Sequence, residues 1–218
     1  MATKKRLVAV IGDVAGSRNV PDRLALQRRL EGALARTNKV TVPVQPLRMT
    51  LGDQLQGRFG KLSDALDVTL WIRLELFDTI EVRFGVGIGE IVVPAKGRSP
   101  YGQDGPVWWA ARDRLDGLRS IEDKREWPPG WRTAFSSGEA TADALINALL
   151  VCRDQILQGF DERDARILLG LLKGSTQATI GKHVGITQGA VSQRATRKGA
   201  YALLRAREWM REVDAWLF

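Results

Sequence analysis

Two aspartates each follow an apolar run that has the residue types of a β-strand. Asp13 comes shortly after Leu7–Ile11, Asp53 comes after VTVPVQPLRMTL, and each directly follows a glycine. Two carboxylates beside an open site are what Mg²⁺ or Mn²⁺ uses while the phosphates of a nucleotide fill its remaining positions. The turn Ala15-Gly16-Ser17 would offer backbone N–H groups to those phosphates. Alternatively, both aspartates only form turns at strand ends.

Composition limits the chemistry available elsewhere in the chain. There is one histidine, His183, and one cysteine, Cys152, among 218 residues. This excludes an internal disulfide and a Cys/His zinc site, and it leaves little room for histidine-based nucleophilic catalysis. Any bound metal would therefore have carboxylate ligands. No apolar run approaches the length of a membrane span and MATKKRL lacks an apolar signal segment, so the chain is expected to be soluble and cytoplasmic.

Positive charge is concentrated in the last fifth of the sequence. The formal net charge is +8, and the stretch from Lys173 to Arg207 contains seven basic residues and no acidic residue. Counterion release would favour the binding of such a stretch to a polyanion. The alternative is a solvated basic helix face, so the residue pattern has to decide.

The pattern in this stretch predicts a helix-turn-helix. Apolar residues in 161–172 have helical spacing, and Gly174 would end that helix. Thr176 would cap a short helix that turns at Val184-Gly185-Ile186, and Thr187 would cap the next helix. In that second helix, five side chains suited to base edges and phosphates are predicted to point outward: Gln188, Ser192, Gln193, Arg194 and Arg197.

The segment TQGAVSQR resembles the recognition helix of sigma-factor region four and related bacterial regulators. This resemblance implies a helix in the major groove of double-stranded DNA, with the preceding helix crossing the backbone. The predicted DNA-binding residues are Lys182, Thr187, Gln188, Ser192, Gln193, Arg194, Arg197 and Lys198. Some three-helix units of this kind instead dock proteins.

The elements that would position the two aspartates follow the order strand, helix, strand, strand, helix, strand. The helices are predicted over Asp22–Arg36 and Lys61–Ile80, and EVRFGVGIGEIVV is the last strand. This order predicts an α+β fold of the ferredoxin-like type, in which the middle hairpin lies beside the first strand. Asp13 and Asp53 could then converge.

Four short motifs make this half, roughly residues 6–118, resemble a class III nucleotide cyclase domain. DVAGSR, MTLGDQLQ, RFGVGIGEI and GPVWWAARDRL stand in the family's order. The resemblance implies that Asp13 and Asp53 bind Mg²⁺ or Mn²⁺ together with a nucleoside triphosphate. It also implies a phosphate-binding segment made of Val14, Ala15, Gly16, Ser17 and Arg18.

Departures from the cyclase pattern fall on base recognition and catalysis. Met49 stands where the family has its adenine-reading lysine, and Trp108 replaces an asparagine that positions the transition state. The family's charge-stabilising arginine maps to Arg112, the catalytic residue that would act if the chain is active. Loss of one such stabilising group typically costs about 10²–10³ in rate. A slow enzyme, a changed substrate and a nucleotide sensor without turnover all fit this pattern.

Over its whole length the sequence resembles the bacterial SatD family, in which a short domain opening with an IGDVxxSR-type strand precedes a helix-turn-helix. The predicted organisation is a cyclase-like domain over 1–119, a linker or arm over 120–138, and a helical DNA-binding domain over 139–218. The helix-turn-helix itself is placed at about 176–198.

Two further apolar helix faces lie outside these motifs. Residues of the helix at 138–160 that fall near one side are Ala144, Leu145, Ala148, Leu149, Cys152 and Ile156, with Cys152 expected in the core. The last helix carries Trp209, Val213, Trp216, Leu217 and Phe218, which should be buried. Burial in a two-fold homodimer and packing on the same chain both remain open, although both resemblances imply a homodimer.

Three functions stay open at this level. The first is a bacterial transcriptional regulator whose cyclase-like domain binds a metal–nucleotide and adjusts DNA binding. The second is an active nucleotidyl cyclase that uses its C-terminal domain for localisation or dimerisation. The third is a DNA-binding protein whose first domain only dimerises.

Overall fold

The computed structural model describes residues 6–17, 20–50, 52–91, 104–121, 124 and 127–217. The first elements are β1 (Arg6–Val14), α1 (Arg23–Val40), β2 (Pro43–Met49), β3 (Leu55–Phe59), α2 (Leu62–Glu75), β4 (Val82–Glu90) and α3 (Pro106–Ile121). They are followed by β5 (Thr133–Ser136), α4 (Ala140–Gln158), α5 (Glu162–Leu172), α6 (Gln177–Val184), α7 (Gln188–Arg197) and α8 (Ala200–Leu217). Within the described ranges, no helix is both long and apolar enough to cross a membrane.

The five strands form one sheet in the order β2-β3-β1-β4-β5. β1 lies between β3 and β4 and is antiparallel to both, so the middle hairpin lies beside the first strand as the α+β prediction requires. β5 extends the sheet by pairing parallel to β4, with Phe84 opposite Thr133. This strand lies inside the segment 120–138 that was predicted to be a linker or arm.

β1 is apolar on both faces because helices cover both sides of the sheet. Val8 and Val10 belong to a core that includes residues of α1 and α2. Ala9 and Ile11, which alternate with them, pack against α3. A strand buried on both faces has a continuous rather than an alternating apolar sequence, which is what Leu7–Ile11 shows.

Alternate glycines in β4 allow α3 to lie unusually close to the sheet. A Cβ atom at Gly85 would be 1.9 Å from the Ala111 carbonyl oxygen, and one at Gly87 would be 2.5 Å from the Ala111 backbone nitrogen. Any side chain at these two positions would therefore force the helix away from the strand. The close approach predicted from the glycine pattern is confirmed, and a helix backbone makes it.

α2 belongs to two hydrophobic cores. Its residues Leu62–Ile72 contribute to the core beneath the sheet, which also contains Ile146 and Leu150 of α4. Leu70 and Leu74 of α2 instead join a second core that includes residues of α5, α6, α7 and α8. The sheet and the C-terminal helices are therefore packed on one shared helix.

The apolar residues predicted to be buried in the last helix are only partly buried within the chain. Met210 and Leu217 are buried in the first core and Val213 packs against it, whereas Trp209 and Trp216 are exposed. Packing on the same chain thus accounts for one side of α8. Phe218 lies outside the described residues.

The prediction for the buried face of α4 is wrong. Cys152 is exposed, as are Ala144, Leu145 and Ala148. The buried residues are instead Ala142, Ile146, Leu150, Arg153, Asp154 and Leu157. The physical reason is that Asp154, which is fully buried, accepts hydrogen bonds from the Arg132 and Thr133 backbone N–H groups and pairs with Arg153. These contacts orient α4 so that the Arg153–Asp154 pair, and not the predicted apolar side of the helix, faces β5.

Candidate functional site

The helices α6 and α7 form a compact pair joined by the turn 185–187. Thr176 and Thr187 cap their N-termini, since each hydroxyl oxygen accepts a hydrogen bond from the backbone N–H three residues later, at 3.2 Å. Gly185 has φ +72°, a left-handed conformation that glycine adopts without steric cost. Its N–H donates to the Gly181 carbonyl and ends α6. The sequence predicted both caps and this turn.

The inner faces of the pair are apolar and the outer face of α7 is polar. Ile180, Val184, Val191 and Ala195 are buried in the second core. Gln188, Gln193 and Arg197 are exposed on α7, and Lys182 is exposed on α6. Ser192 is half-buried, and Thr187 is exposed but its hydroxyl is used as the cap. Thr196 is also exposed on α7, and its hydroxyl donates to the Ser192 carbonyl oxygen at 3.0 Å.

Arg194 does not point outward, which corrects the sequence prediction. Its Nε donates to Asp164 Oδ1 at 2.8 Å, and its Nη2 donates to Asp161 Oδ2. These two bonds raise the pKa of Arg194. Burial acts against the charged carboxylate, but the Asp164 backbone N–H and the Arg194 guanidinium outweigh it and lower the pKa of Asp161. Arg194 therefore fastens α7 to the N-terminus of α5.

Most of the basic residues between 173 and 207 have partners within the chain. Lys198 Nζ donates to the Gly159 carbonyl at 2.7 Å and lies 3.8 Å from Asp164, so it also turns toward the body of the protein. Ion pairs likewise engage Lys173, Arg205 and Arg207. Among the described residues, Lys182 and Arg197 are the members of this set without an ion-pair partner. The charge left for an external ligand is therefore concentrated at α6 and α7.

Asp13 lies near the end of β1, where it contacts Arg119 of α3. It is buried, and both carboxylate oxygens are engaged: Arg83 Nε donates to Oδ1 at 3.2 Å and Arg83 Nη2 to Oδ2 at 2.9 Å. Arg119 Nε of α3 also donates to Oδ2, at 3.0 Å. Burial opposes the charge of Arg119, but Asp13 outweighs this and raises the pKa of Arg119.

Asp53 follows the turn at Gly52 and is half-buried. Because Gly12 pairs with Leu55 across β1 and β3, residues 13 and 53 lie near the same end of this strand pair. The neighbouring Gln54 accepts a hydrogen bond from Arg112 Nη2 of α3 at 3.2 Å. The register thus brings the β1 end, the β2–β3 turn and the middle of α3 together, as the predicted fold requires.

The described side chains do not fit a divalent cation at Asp13. A metal would have to displace two guanidinium groups from the carboxylate, and no cluster of three or more acidic, histidine or cysteine ligands occurs in the described ranges. Among the described residues, no ion pair or hydrogen bond engages the Asp53 carboxylate. The predicted metal site therefore lacks an available pair of ligands in this conformation.

The predicted phosphate-binding turn is partly engaged by the protein itself. The Ala15 N–H donates to the Glu81 carbonyl at 2.9 Å, and the Ser17 carbonyl accepts from Val20 N–H at 3.3 Å. Val14 is buried in the first core, while Gly16 is exposed with φ +66°. Arg18 lies outside the described residues. Of the N–H groups that were predicted to bind phosphates, the Ala15 N–H already donates to a carbonyl oxygen of the protein.

Two positions that depart from the cyclase pattern have apolar surroundings. Trp108, which replaces the family asparagine, is buried with Ile11 and Val107, and its Nε1 has no hydrogen-bond partner among the described residues. Met49, at the lysine position, packs against the first core. Arg83 and Arg119 were not predicted as site residues. The sequence shows only that Arg83 lies near the start of the glycine-rich strand β4 and that Arg119 lies near the end of α3.

A model of the SatD family matches residues 7–213. No curated protein matches the chain. A bacterial light-regulated adenylyl cyclase is 14% identical with a TM-score of 0.47, and the likeness covers 68% of this chain and 44% of that one. The guanylate cyclase domain of RhGC from Catenaria anguillulae in complex with GTP is 13% identical with a TM-score of 0.40, and the likeness covers 56% of this chain and 84% of that one. The adenylyl cyclase CyaB from P. aeruginosa is 18% identical with a TM-score of 0.37, and the likeness covers 55% of this chain and 82% of that one.

Proposed function

We propose that this chain, which belongs to the SatD family, is a double-stranded DNA-binding protein that acts as a bacterial transcriptional regulator. The observation that carries the proposal is the α6–turn–α7 unit, whose two threonine caps and left-handed Gly185 hold a polar helix face outward. An α-helix fits the major groove of B-form DNA, where the donor and acceptor patterns of the base pairs differ.

The exposed residues of α7 have the chemistry that base reading needs. A glutamine amide such as that of Gln193 can both donate to and accept from an adenine edge, and the Arg197 guanidinium can donate two bonds to guanine. Lys182, which is exposed on α6, would neutralise a phosphate while the first helix crosses the backbone. Arg194 and Lys198 are left out of this set because the protein itself binds their cationic groups.

DNA selection followed by affinity measurement tests this proposal. Wild-type protein selects its site from a random double-stranded library, and fluorescence anisotropy then compares Arg197→Ala with Arg114→Ala, which removes an exposed arginine of α3. We expect Arg197→Ala to weaken binding by about tenfold or more and to lower the salt slope by about 1. Arg114→Ala should change neither. Failure of the wild type to enrich any sequence, or equal affinities for all three proteins, would overturn the proposal.

A nucleotide role for the sheet unit is the second candidate. It is supported by the four cyclase-like motifs and by the contact of Arg112 with Gln54 beside the end of β1. The Mg²⁺ or Mn²⁺ of that hypothesis does not fit Asp13 as it is bound here, so no turnover is derived from it. A triphosphate held by this unit would act on DNA binding through α2, which packs in both cores.

A further inference from the structure

Two tryptophans are left exposed on the outer face of α8. Trp209 and Trp216 are seven residues apart and therefore share one side of the helix, and they are 61% and 62% exposed. The opposite side, with Leu203, Met210 and Leu217, is buried against the protein. Large aromatic side chains that remain exposed together on one helix face are typical of a protein interface.

α4 has a second apolar face next to this one. Leu145 is 65% exposed, and Ala144, Ala148 and Cys152 are exposed near the same side of the helix. Leu149 of α4 and Val213 of α8 are partly buried and pack against the same core. A groove between the two helices is lined by Leu149 and Leu150 of α4, Ala206 and Met210 of α8, and Leu66 of α2.

We propose that a second copy of this chain packs on the face formed by α4 and α8, with two-fold symmetry. The charges on α8 select this occupant. Arg205 precedes Trp209 and Glu212 follows it, and both are exposed. Arg205 also pairs with Glu208 of its own helix at 2.6 Å, so the Glu212 of a second copy would be a further partner for its guanidinium. When two copies of α8 run antiparallel, Arg205 of each meets Glu212 of the other, because a two-fold axis near position 208 exchanges these positions. A parallel pairing would bring like charges together instead.

The same geometry connects the interface with the proposed DNA binding, and this step rests on that proposal. At 1.5 Å per residue, two antiparallel α8 helices crossing near position 208 would hold their Ala200 ends about 25 Å apart. α7 ends just before Ala200 in each copy. This separation is of the order of the roughly 34 Å between half-sites one turn apart on DNA.

Sedimentation equilibrium on the full chain tests the interface without using DNA, so its failure is distinguishable from a failure of DNA binding. We expect the wild type to form a dimer, and Trp209→Glu or Leu145→Glu to weaken the dimer by about 30-fold or more. Val42→Glu is the matched control because Val42 is 77% exposed just before β2. Circular dichroism verifies that each variant is folded.

A charge exchange tests the antiparallel arrangement. Arg205→Glu and Glu212→Arg should each weaken the dimer, and the double variant should restore it. A wild-type monomer at 100 μM (roughly the concentration at which weak dimers still populate), a dimer that only Val42→Glu disrupts, or a double variant weaker than either single variant would each overturn the proposal.

Discussion

At the level of single residues, the Asp13 carboxylate is bound by Arg83 and Arg119, whereas its place at a strand end predicted an open metal ligand. Its position beside Asp53 could be predicted because both follow strand-like runs and the fold brings those runs together. Its partners could not, because Arg83 and Arg119 are 70 and 106 positions away in the sequence. Which charges meet beneath a helix depends on the helix's register over the sheet, and here the β4 glycines set how closely α3 approaches.

The replacement Asp13→Asn distinguishes a structural ion pair from a metal ligand. In EDTA, we expect it to reduce the free energy of unfolding by about 3 kcal/mol, because Arg83 and Arg119 lose their shared buried counter-charge. Asp53→Asn, the matched control, should change stability little. Urea unfolding measures both. A neutral or stabilising effect of Asp13→Asn in EDTA would contradict the structural ion pair.

At the level of elements, the sequence predicted those whose signals are local. The helix predicted over Asp22–Arg36 is found as Arg23–Val40, with Asp22 as its N-cap, whose carboxylate accepts from the Ala25 N–H. The segment 120–138 was predicted as a linker or β-arm, and the pairing of β5 with the sheet was not predicted because its four residues gain stability only by pairing with the distant β4. The buried side of α4 was predicted wrongly because that helix has two apolar faces and the Arg153–Asp154 pair decides which one is buried.

The link between α5 and α7 gives a prediction for Arg194→Ala. We expect it to destabilise the chain by about 2 kcal/mol, because the buried Asp164 loses a charge-assisted hydrogen bond. The folded pKa of Asp161 is below its ordinary 3.8, so its contribution is present above that pH and is lost as the pH falls below it. The stability difference between wild type and variant should therefore shrink below pH 3.8. Thermal unfolding from pH 3 to 7 measures it, and a difference that grows in acid would contradict the assignment.

At the level of the whole molecule, α2 joins the sheet to the C-terminal helices. Besides its place in both cores, its N-terminus is held by α8: Asp214 Oδ1 accepts from the Ser63 N–H at 3.0 Å and Asp214 Oδ2 from the Ser63 hydroxyl at 2.5 Å. Arg207 of α8 pairs with Asp67 one turn further along. A change in the sheet unit can therefore reach α7 through packed structure and needs no flexible linker.

This shared helix predicts that the chain unfolds as one unit. Wild-type denaturation followed by tryptophan fluorescence and by far-UV circular dichroism should give a single coincident transition, since neither core is complete without α2. Asp214→Ala should shift that transition as a whole and lower stability by about 2 kcal/mol, because it removes a helix cap and leaves a buried hydroxyl unpaired. Asp113→Ala, an exposed carboxylate of α3, should have little effect. Two separate transitions, with Asp214→Ala moving only one of them, would show that the sheet and the C-terminal helices are energetically independent. A ligand of the sheet unit could then not regulate the proposed DNA binding through α2.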